Sequence, residues 1–474
     1  MTDKKAKVAL VNPPLSKGVY RHQPYLPINL AYLAAVLERD GHEVSVTDCS
    51  AVDMDYEKLK TTLASLNPDL VGITSMVPTT PSALKSANVA KEACPNTKVV
   101  MGGLHATFMD EEFLNEEAAI DIIVRGEGEQ TLTELAAMAA NPNLKKLSAI
   151  DGVTFRRGGK VVRTPDRAFI ENLDDLPFPA FGYFPLDNYR LFGRKILPAI
   201  TGRGCPYRCS SCITPKMFRG TFRLRSPKNV VDELELGKNK FGAEAFSFYD
   251  DTLTFDRNRI LEICDQIKSR KLDLPWDCQT RVDKVSKEIL AKMREAGCQQ
   301  ILFGVESGCQ KILDNINKQT TVEQNEKAIK LAKEAGIFVT ISMIIGYPGE
   351  TKTSLKETLD FIKKVKPDDA CLCIVTPYPG TEIRAYVESQ KWKMASDWSL
   401  YDLTSCVFED PDLPSEELIK FRDTFCDKFY SPGYICRQYL RRNSYSRIMA
   451  RTALNHMFWR VKNKTSHKTT SKQQ

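Results

Sequence analysis

Three cysteines lie within eight residues of one another in the stretch TGRGCPYRCSSC, at Cys205, Cys209 and Cys212. The chain spreads 14 cysteines over 474 residues, so this bunching is improbable by chance. Three core thiols or a structural zinc site are the simpler explanations. A zinc site, however, wants a fourth Cys or His, and none occurs between Met217 and Glu262. Three thiolates suit a 4Fe-4S cluster that keeps one iron open for a further ligand.

The cysteines follow the first strand of a series of strands and helices over residues 196–385. Six apolar strands alternate there with helical stretches at about 226–241, 257–271, 284–296, 322–335 and 352–365. Such alternation predicts a (β/α)6 partial barrel, with its chemistry at the carboxyl ends of the strands. Polar residues or glycines do end every strand, at Gly202-Arg203-Gly204, Asp250-Asp251, Thr280-Arg281, Glu306-Ser307, Gly346-Tyr347-Pro348 and Pro377-Tyr378-Pro379.

Residues 1–145 also alternate strands and helices, and their strands are continuously apolar. This pattern predicts a doubly wound parallel sheet whose ligand crevice lies at the carboxyl ends of its strands. The residues at or just after these strand ends are Asn12, Pro13, Pro14, Thr74, Ser75, Gly102, Gly103, His105, Gly126, Glu127 and Gly128. No G-x-G-x-x-G sequence opens a helix here, so a dinucleotide is not indicated.

Two further segments complete the predicted organisation. Residues 146–195 hold a hairpin with a Gly-Gly turn and a linker rich in proline and aromatics, and residues 386–474 form a helical C-terminal region. The net charge of +7 belongs to the tail, because residues 437–474 contain ten Lys or Arg and no acid, which leaves about −3 elsewhere. A helix packed on the barrel with a solvated end is the simplest interpretation. Peripheral contact with an anionic membrane is an alternative, whereas nucleic-acid binding lacks a recognition motif.

The composition predicts a cytoplasmic protein with reduced thiols. The longest apolar run, at 337–346, is too short to cross a bilayer, and the first residues contain no apolar signal segment. Cys371 and Cys373 share one face of the sixth strand and Cys278 lies on the third, which leaves open a second cluster or, more simply, buried core thiols. An aromatic-walled barrel pocket is suggested by Tyr249, Trp276, Tyr347 and Tyr378.

The cysteine spacing, the six-unit barrel and the preceding doubly wound domain together resemble radical S-adenosylmethionine (SAM) enzymes with an N-terminal cobalamin-binding domain. The resemblance runs from VNPP at 11–14 to FYSPGYICRQYLRR at 429–442. It is carried by GRGCPYRCSSC at 202–212, FYDDTLTFD at 248–256, TRVD at 280–283, FGVESG at 303–308, IIGYPGET at 344–351, GGLHATF at 102–108 and RGEGE at 125–129.

The resemblance implies that the open iron binds the amino and carboxylate groups of SAM. One electron from an external reductant, passed through the cluster, then releases a 5′-deoxyadenosyl radical that takes hydrogen from an unactivated carbon. The positions assigned to SAM by analogy are Tyr207, Asp250, Asp251, Arg281, Glu306, Ser307 and Gly346. An aspartate would meet the amino group, Arg281 the carboxylate, Glu306 the ribose, and backbone at Gly346 the adenine.

For the reaction itself, the resemblance implies C-methylation, with the methyl group carried by cobalamin and replaced from a second SAM. The expected substrate is a small molecule, or a lipid-like one if the basic tail contacts a membrane. A radical cyclase of the anaerobic Mg-protoporphyrin monomethyl ester type and a non-catalytic corrinoid-binding module remain as alternatives. Methylthiotransferases need three more cysteines in the first domain, where residues 1–195 have only Cys49 and Cys94. The positions assigned to cobalamin are Thr74, Ser75, Gly102, Gly103, His105, Gly126 and Glu127. No D-x-H-x-x-G motif is present, so a histidine of that kind below the cobalt is not expected.

Overall fold

The computed structural model describes residues 5–15, 25–141, 146–191, 193–441, 445–451 and 453–454. It divides into two compact units, the first made of residues 1–275 with 376–408 and the second of residues 276–375 with 409–474. The strands are β1 (Lys7–Asn12), β2 (Glu43–Asp48), β3 (Leu70–Thr74), β4 (Lys98–Gly102), β5 (Ile122–Val124), β6 (Val153–Arg157), β7 (Lys160–Arg163), β8 (Arg190–Leu191), β9 (Arg194–Ala199), β10 (Gly202–Gly204), β11 (Phe222–Leu224), β12 (Ala245–Phe248), β13 (Trp276–Thr280), β14 (Cys298–Glu306), β15 (Phe338–Ile345) and β16 (Asp369–Ile374).

The helices separate these strands much as the sequence predicts. They are α1 (Ile28–Arg39), α2 (Tyr56–Leu66), α3 (Thr80–Ala93), α4 (Leu104–Phe108), α5 (Asp110–Glu116), α6 (Glu129–Ala140), α7 (Thr214–Met217), α8 (Pro227–Phe241), α9 (Arg257–Ser269), α10 (Lys287–Glu295), α11 (Gln310–Asn315), α12 (Val322–Glu334), α13 (Lys352–Val365), α14 (Glu382–Ser389), α15 (Ser415–Phe429) and α16 (Pro432–Leu440). Local signals set their ends. Helix α8, for example, begins after Ser226, whose side chain accepts from the Asn229 amide, and ends at left-handed Gly242.

The first sheet has the strand order β2-β1-β3-β4-β5-β6-β7. Its first five strands pair in parallel, and β3 is buried along its whole length because helices cover both faces. The predicted doubly wound sheet is therefore present. The predicted hairpin is β6–β7, and it extends this sheet by antiparallel pairing with β5.

The six strands predicted for the barrel are β9, β12, β13, β14, β15 and β16. In the first unit β9 pairs in parallel with β12 and antiparallel with β8. In the second unit β13 to β16 pair in parallel in sequence order. The sequence does not predict the antiparallel pair β10–β11, because a three-residue strand with two glycines has no periodic signal.

The C-terminal helices belong to the second unit and pack at the start of β16. The Tyr430 hydroxyl donates to a carboxylate oxygen of Asp369 at 2.8 Å, and the Tyr434 hydroxyl donates to the Asp368 carbonyl at 2.8 Å. This placement agrees with the packed-helix interpretation. Most of the basic tail, including Phe458 and Val461, lies outside the described residues. Within the described ranges, no helix is both long and apolar enough to cross a membrane.

Candidate active site

The three cysteines lie on the loop that joins β10 to α7. Gly204 enters this loop at a φ of 92°, and a side chain there would overlap the carbonyl oxygen of Thr221 on the neighbouring segment. Only glycine suits this position, because a left-handed backbone and a close neighbour coincide there. The amide of Cys212 donates to the Cys209 carbonyl at 3.0 Å, which closes the loop into a turn.

All three thiols are partly accessible, and hydroxyl groups flank two of them. Thr252 hydrogen-bonds to Cys205 and Thr214 to Cys212, while the backbone of Tyr207 also bonds to Cys205. Burial raises the pKa of Cys205 and raises the pKa of Cys212 to about 11, so both are neutral thiols until iron displaces their protons.

The loop fits a cluster better than a single ion. Among the described residues, no group of three or more His, Cys, Asp or Glu side chains is close enough to hold one metal ion. A 4Fe-4S cluster places its thiolates on different iron atoms, so its cysteines stand farther apart than the ligands of one ion. Cys209 lies near enough to Cys205 and Cys212 to influence the pKa of each.

Two neighbouring aspartates after β12 have different environments. Asp250 is buried and accepts hydrogen bonds from the amide of Thr201 at 3.0 Å and from its hydroxyl at 2.7 Å. Asp251 is exposed to solvent in a crevice beside Cys205 and Cys212. The surrounding protein partly desolvates the Asp251 carboxylate, and this desolvation, followed by the charge of Asp250, raises the pKa of Asp251 to about 6. Asp251 is therefore the accessible carboxylate next to the cysteine loop.

In the second unit, the predicted SAM residues already have protein partners. Arg281 is buried, and its guanidinium donates to Asp283 at 2.8 Å and to the Lys318 carbonyl at 2.8 Å. Glu306 ends β14 at a φ of 66°, a strained value for a glutamate, and its Oε1 accepts from the Lys318 ammonium at 2.7 Å. Ser307 is fully buried and its hydroxyl accepts from the Cys309 amide at 3.1 Å, so its side chain stabilises the turn.

Gly346 follows β15 at a φ of 79° and its amide donates to Glu350 at 2.5 Å. A side chain at this glycine would meet Leu418 of α15 at 2.7 Å. Glu350 is 1% exposed, and burial raises its pKa to about 7, with partial compensation by the Gly346 amide and Ser354. The loop that carries the predicted adenine contact is therefore held by a buried carboxyl group.

This carboxyl group predicts a pH-dependent stability that Glu350→Gln removes. Because its folded pKa is raised from 4.5 to about 7, the wild type should lose about 3 kcal/mol of unfolding free energy between about pH 5 and about pH 8. A glutamine side chain cannot ionise, so this part of the pH dependence should vanish in the variant. Chemical denaturation at both pH values measures the unfolding free energy, and Glu334→Gln, at an exposed position, is the control. Parallel curves for the wild type and Glu350→Gln would contradict the assignment.

At the edge of the first sheet, the predicted cobalamin residues fall into two groups. Gly126, at a φ of 71°, faces open space, because no atom lies within 4 Å of the position that a Cβ would take there. Gly103, in contrast, approaches Ser75 so closely that a Cβ would lie 2.6 Å from its carbonyl oxygen. Ser75 is fully buried and Thr74 accepts from Asn29 at 2.9 Å. Glu127 is bonded to two arginines within the protein.

His105 is fully buried rather than facing the crevice. Its Nδ1 shares a 2.5 Å hydrogen bond with Thr80, and its ring contacts Phe113 and Trp398 with centroid distances of 5.0 and 4.5 Å. Burial and then the charge of Arg384 lower the pKa of His105 to about 3, so the ring is neutral. Its Nε2 has no hydrogen-bond partner in the described part of the chain.

The same edge exposes large apolar side chains. Leu15 follows β1, Tyr25 precedes α1 and Met76 follows β3, and these side chains are 38%, 59% and 55% exposed. Exposed apolar groups clustered on loops at a strand-end crevice are typical of a site for a large, partly apolar ligand. The edge therefore fits a flat macrocyclic cofactor better than a small polar one.

The strands of the second unit have one apolar face and one polar face. Trp276 lies on the apolar face, where its indole donates to the Ala296 carbonyl at 2.8 Å, so it does not line a barrel pocket. Cys278 lies on the same buried face. Cys371 is exposed and Cys373 half-buried on the opposite face, so the core-thiol interpretation is wrong for Cys371. The polar face also carries Asp277, Gln279, Gln300, Thr340, Ser342 and Asp369, with Leu302, Phe338 and Ile344 as apolar members.

Comparison with known proteins identifies both parts of this arrangement. The family model described as the Radical SAM superfamily matches residues 199–362, and that of the B12 binding domain matches residues 19–136. An uncharacterized methyltransferase of Pyrococcus horikoshii is 34% identical over 90% of this chain and 92% of its own length. The anaerobic magnesium-protoporphyrin IX monomethyl ester cyclase of Cereibacter sphaeroides is 34% identical over 92% of this chain and 68% of its own.

Solved structures show the same fold. TsrM of Kitasatospora setae, solved with cobalamin and a 4Fe-4S cluster, has a TM-score of 0.72 at 19% identity and matches over 90% of each chain. OxsB, solved with aqua-cobalamin and SAM, has a TM-score of 0.74 at 19% identity over 96% of this chain and 71% of OxsB. The chain is a radical SAM enzyme. More narrowly, it belongs to the cobalamin-dependent family, whose members combine a B12-binding domain with a radical SAM partial barrel.

Membership confirms the predicted fold class, enzyme class and cofactor set of 4Fe-4S cluster, SAM and cobalamin. The structure adds residues that the sequence does not single out. Glu129 and Arg223 bind the strand before the cysteine loop, and Glu350 holds the Gly346 loop. These residues could not be found from the sequence, because the groups they contact are distant in the sequence or lie in irregular loops without a periodic pattern.

Proposed function

We propose that this enzyme methylates an unactivated carbon of a polar small molecule, using cobalamin together with SAM. The observation that supports this most is that the cysteine loop and the B12-binding sheet belong to one compact unit. When bound, the cluster supplies the electron that cleaves SAM, and cobalamin supplies the methyl group. The relatives over most of the chain include a methyltransferase of Pyrococcus horikoshii, which favours methyl transfer.

In this proposal the chain's own residues bind and orient SAM. Cys205, Cys209 and Cys212 hold the cluster, with backbone near Tyr207 beside it, and Asp251 accepts from the SAM ammonium. The residues proposed for the remaining SAM groups are Arg281 for the carboxylate, Glu306 for the ribose and the Gly346 backbone for the adenine. A carboxylate suits an ammonium and a guanidinium suits a carboxylate, since charge assistance strengthens each hydrogen bond.

The polar face of β13 to β16 supports a polar substrate over a lipid. This face carries carboxylate, amide, hydroxyl and thiol groups, some of which bond to the protein, as Gln300 does to Thr340 at 2.8 Å, and a ligand with polar groups of its own avoids the cost of covering them with apolar surface. An external one-electron reductant and a cytoplasmic location complete the proposal. The lipid-like substrate and the membrane contact of the tail find no comparable support among the described residues.

The test uses the protein reconstituted without oxygen with iron, sulfide and cobalamin, then reduced and given SAM with a deuterated methyl group and a small-molecule extract of the source cells. Methylation consumes one SAM for the radical and one for the methyl group, so S-adenosylhomocysteine and 5′-deoxyadenosine should accumulate in roughly equal amounts. Mass spectrometry should then find a product that carries the labelled methyl.

Two other outcomes decide between the alternatives. Formation of 5′-deoxyadenosine without S-adenosylhomocysteine or label would favour cyclisation, which the 34% identity to the Cereibacter sphaeroides cyclase makes the second candidate. No 5′-deoxyadenosine from a fully loaded cluster would instead contradict any radical SAM reaction and favour a non-catalytic corrinoid-binding module.

A further inference from the structure

Two motifs from different parts of the chain meet in a buried ion-pair cluster of the first unit. Arg203 lies on β10, two residues before Cys205, and Glu127 and Glu129 follow β5. Arg203 Nη1 lies 2.9 Å from Glu127 Oε1, and its Nη2 lies 2.5 Å from Glu129 Oε1. The three side chains are only 13%, 7% and 8% exposed. The RGEGE sequence, at the edge of the first sheet predicted to bind cobalamin, thus contacts the GRGC sequence that leads to the iron–sulfur ligands.

A second arginine brings the net charge of the ion-pair cluster to zero. Arg223 of β11 stands directly opposite Arg203 in the antiparallel pair. Like charges in that position repel unless a shared counterion separates them. Glu127 fills this role, because its two oxygens accept from Arg203 at 2.9 Å, from Arg223 at 2.7 and 3.0 Å, and from the Ile170 amide at 2.9 Å. Two arginines and two glutamates therefore neutralise one another.

Because the ion-pair cluster is neutral, Arg203 does not serve to offset the negative charge of a nearby iron–sulfur cluster. Its positive charge is matched by two carboxylates, so it is not available to offset the negative charge of a thiolate-bound cluster. The position of its backbone matters instead. Gly204 and Cys205 follow directly, and Gly204 packs so closely against Thr221 that a side chain there would overlap the Thr221 carbonyl oxygen. Movement at Arg203 must therefore reach the first cluster ligand.

We propose that Arg203 is a positioning residue, which fixes the cysteine loop to the cofactor edge of the first sheet through Glu127 and Glu129. This inference rests on the proposed function. The four charged side chains keep the cysteine loop in one conformation relative to the sheet, so that the cysteines that would hold the cluster and the loop after β5 that would contact cobalamin stay at a constant separation. Binding of a cofactor at the loop after β5 would in the same way order the cysteine loop.

The first experiment measures amide hydrogen exchange in the protein free of cluster and cobalamin. In the Arg203→Met variant, peptides that cover residues 205–212 should exchange about tenfold faster or more, while peptides from β1 and β3 keep wild-type rates. Arg219, an exposed arginine of the same region that pairs with Asp166 at 3.1 Å, provides the control variant Arg219→Gln. This control should leave the exchange of residues 205–212 unchanged.

The second experiment uses SAM as the ligand. It records the electron paramagnetic resonance spectrum of the reduced iron–sulfur cluster with and without SAM. Arg203→Met should still assemble four irons per chain, but about tenfold more SAM should be needed to change its spectrum. Arg203→Lys keeps a positive charge between Glu127 and Glu129, so it should recover part of the affinity that Arg203→Met loses.

Wild-type exchange and wild-type SAM affinity in Arg203→Met would overturn the inference, as would an Arg203→Lys variant that binds SAM no better than Arg203→Met. If Arg203→Met fails to fold, Glu129→Gln removes only one charge and should give a smaller change in the same direction. A wild-type protein whose loaded cluster does not respond to SAM would contradict the proposed function itself, and the exchange experiment would still test the contact.

Discussion

The Cys205→Ala variant is expected to lose its iron–sulfur cluster and, with it, reductive cleavage of SAM by about a thousandfold or more. Each thiolate in such a cluster binds a different iron, so one substitution leaves an iron without its protein ligand. Anaerobic reconstitution followed by iron and sulfide determination measures the cluster, and 5′-deoxyadenosine formation measures the cleavage. Cys209→Ala and Cys212→Ala should behave alike, because the three ligands act as one site.

An accessible cysteine away from the loop supplies the matched control. Cys436 of α16 is exposed, and Cys436→Ala removes a thiol without touching the predicted ligands. This variant should retain the wild-type iron content and rate. Retention of a full cluster by Cys205→Ala would refute the ligand assignment, and loss of iron in both variants would point to general damage by thiol removal.

The Asp251→Asn variant is expected to fold normally but to bind SAM about ten- to a hundredfold more weakly. The asparagine keeps the shape of the side chain but loses the charge that strengthens a hydrogen bond to an ammonium group. Because desolvation and the charge of Asp250 disfavour the charged form of Asp251, its replacement by the neutral asparagine should not lower the unfolding free energy. Titration of the reduced cluster with SAM, followed by 5′-deoxyadenosine formation at low SAM, measures the loss.

The same residue sets a pH dependence. Asp251 has a raised pKa of about 6 and is neutral below it, so SAM cleavage at low SAM should fall about tenfold for each pH unit below that value. Asp251→Asn should lack this acidic limb. A wild-type limb in the variant would show that another group titrates.

Asp250→Asn makes the contrasting comparison. Asp250 is buried and both of its oxygens accept from Thr201, so an amide NH2 in place of one oxygen should face a donor and cost about 1–3 kcal/mol of stability. A stable Asp250→Asn protein with impaired SAM binding would reverse the two roles.

Much of the fold was predictable because strands and helices carry periodic apolar patterns. The burial of β3 and the six barrel strands follow from continuous apolar runs, and α8 was marked by its capping serine and final glycine. Which face of a strand meets the helices was not predictable for Trp276, because alternation indicates two faces without naming them. The short strands β10 and β11 gave no pattern at all.

The cysteine loop was predictable from spacing, whereas the state of its neighbours was not. Asp250 and Asp251 are adjacent and chemically identical in the sequence, but only burial separates a structural carboxylate from an accessible one. Glu127 looked like a cofactor contact because it follows a strand at the ligand edge. Its partners, Arg203 and Arg223, are more than seventy residues away, and a local pattern cannot report such pairs.

The return of residues 376–408 to the first unit has a consequence for how the protein is made. During translation, the ribosome releases β1 to β12 first, then all four strands of the second unit, and only afterwards the stretch that places Trp398 on His105. Until the second unit has been synthesised, the nascent first unit therefore lacks Trp398, and the side of His105 that Trp398 contacts stays uncovered. A fragment that ends at residue 275 should likewise lack the contact between His105 and Trp398.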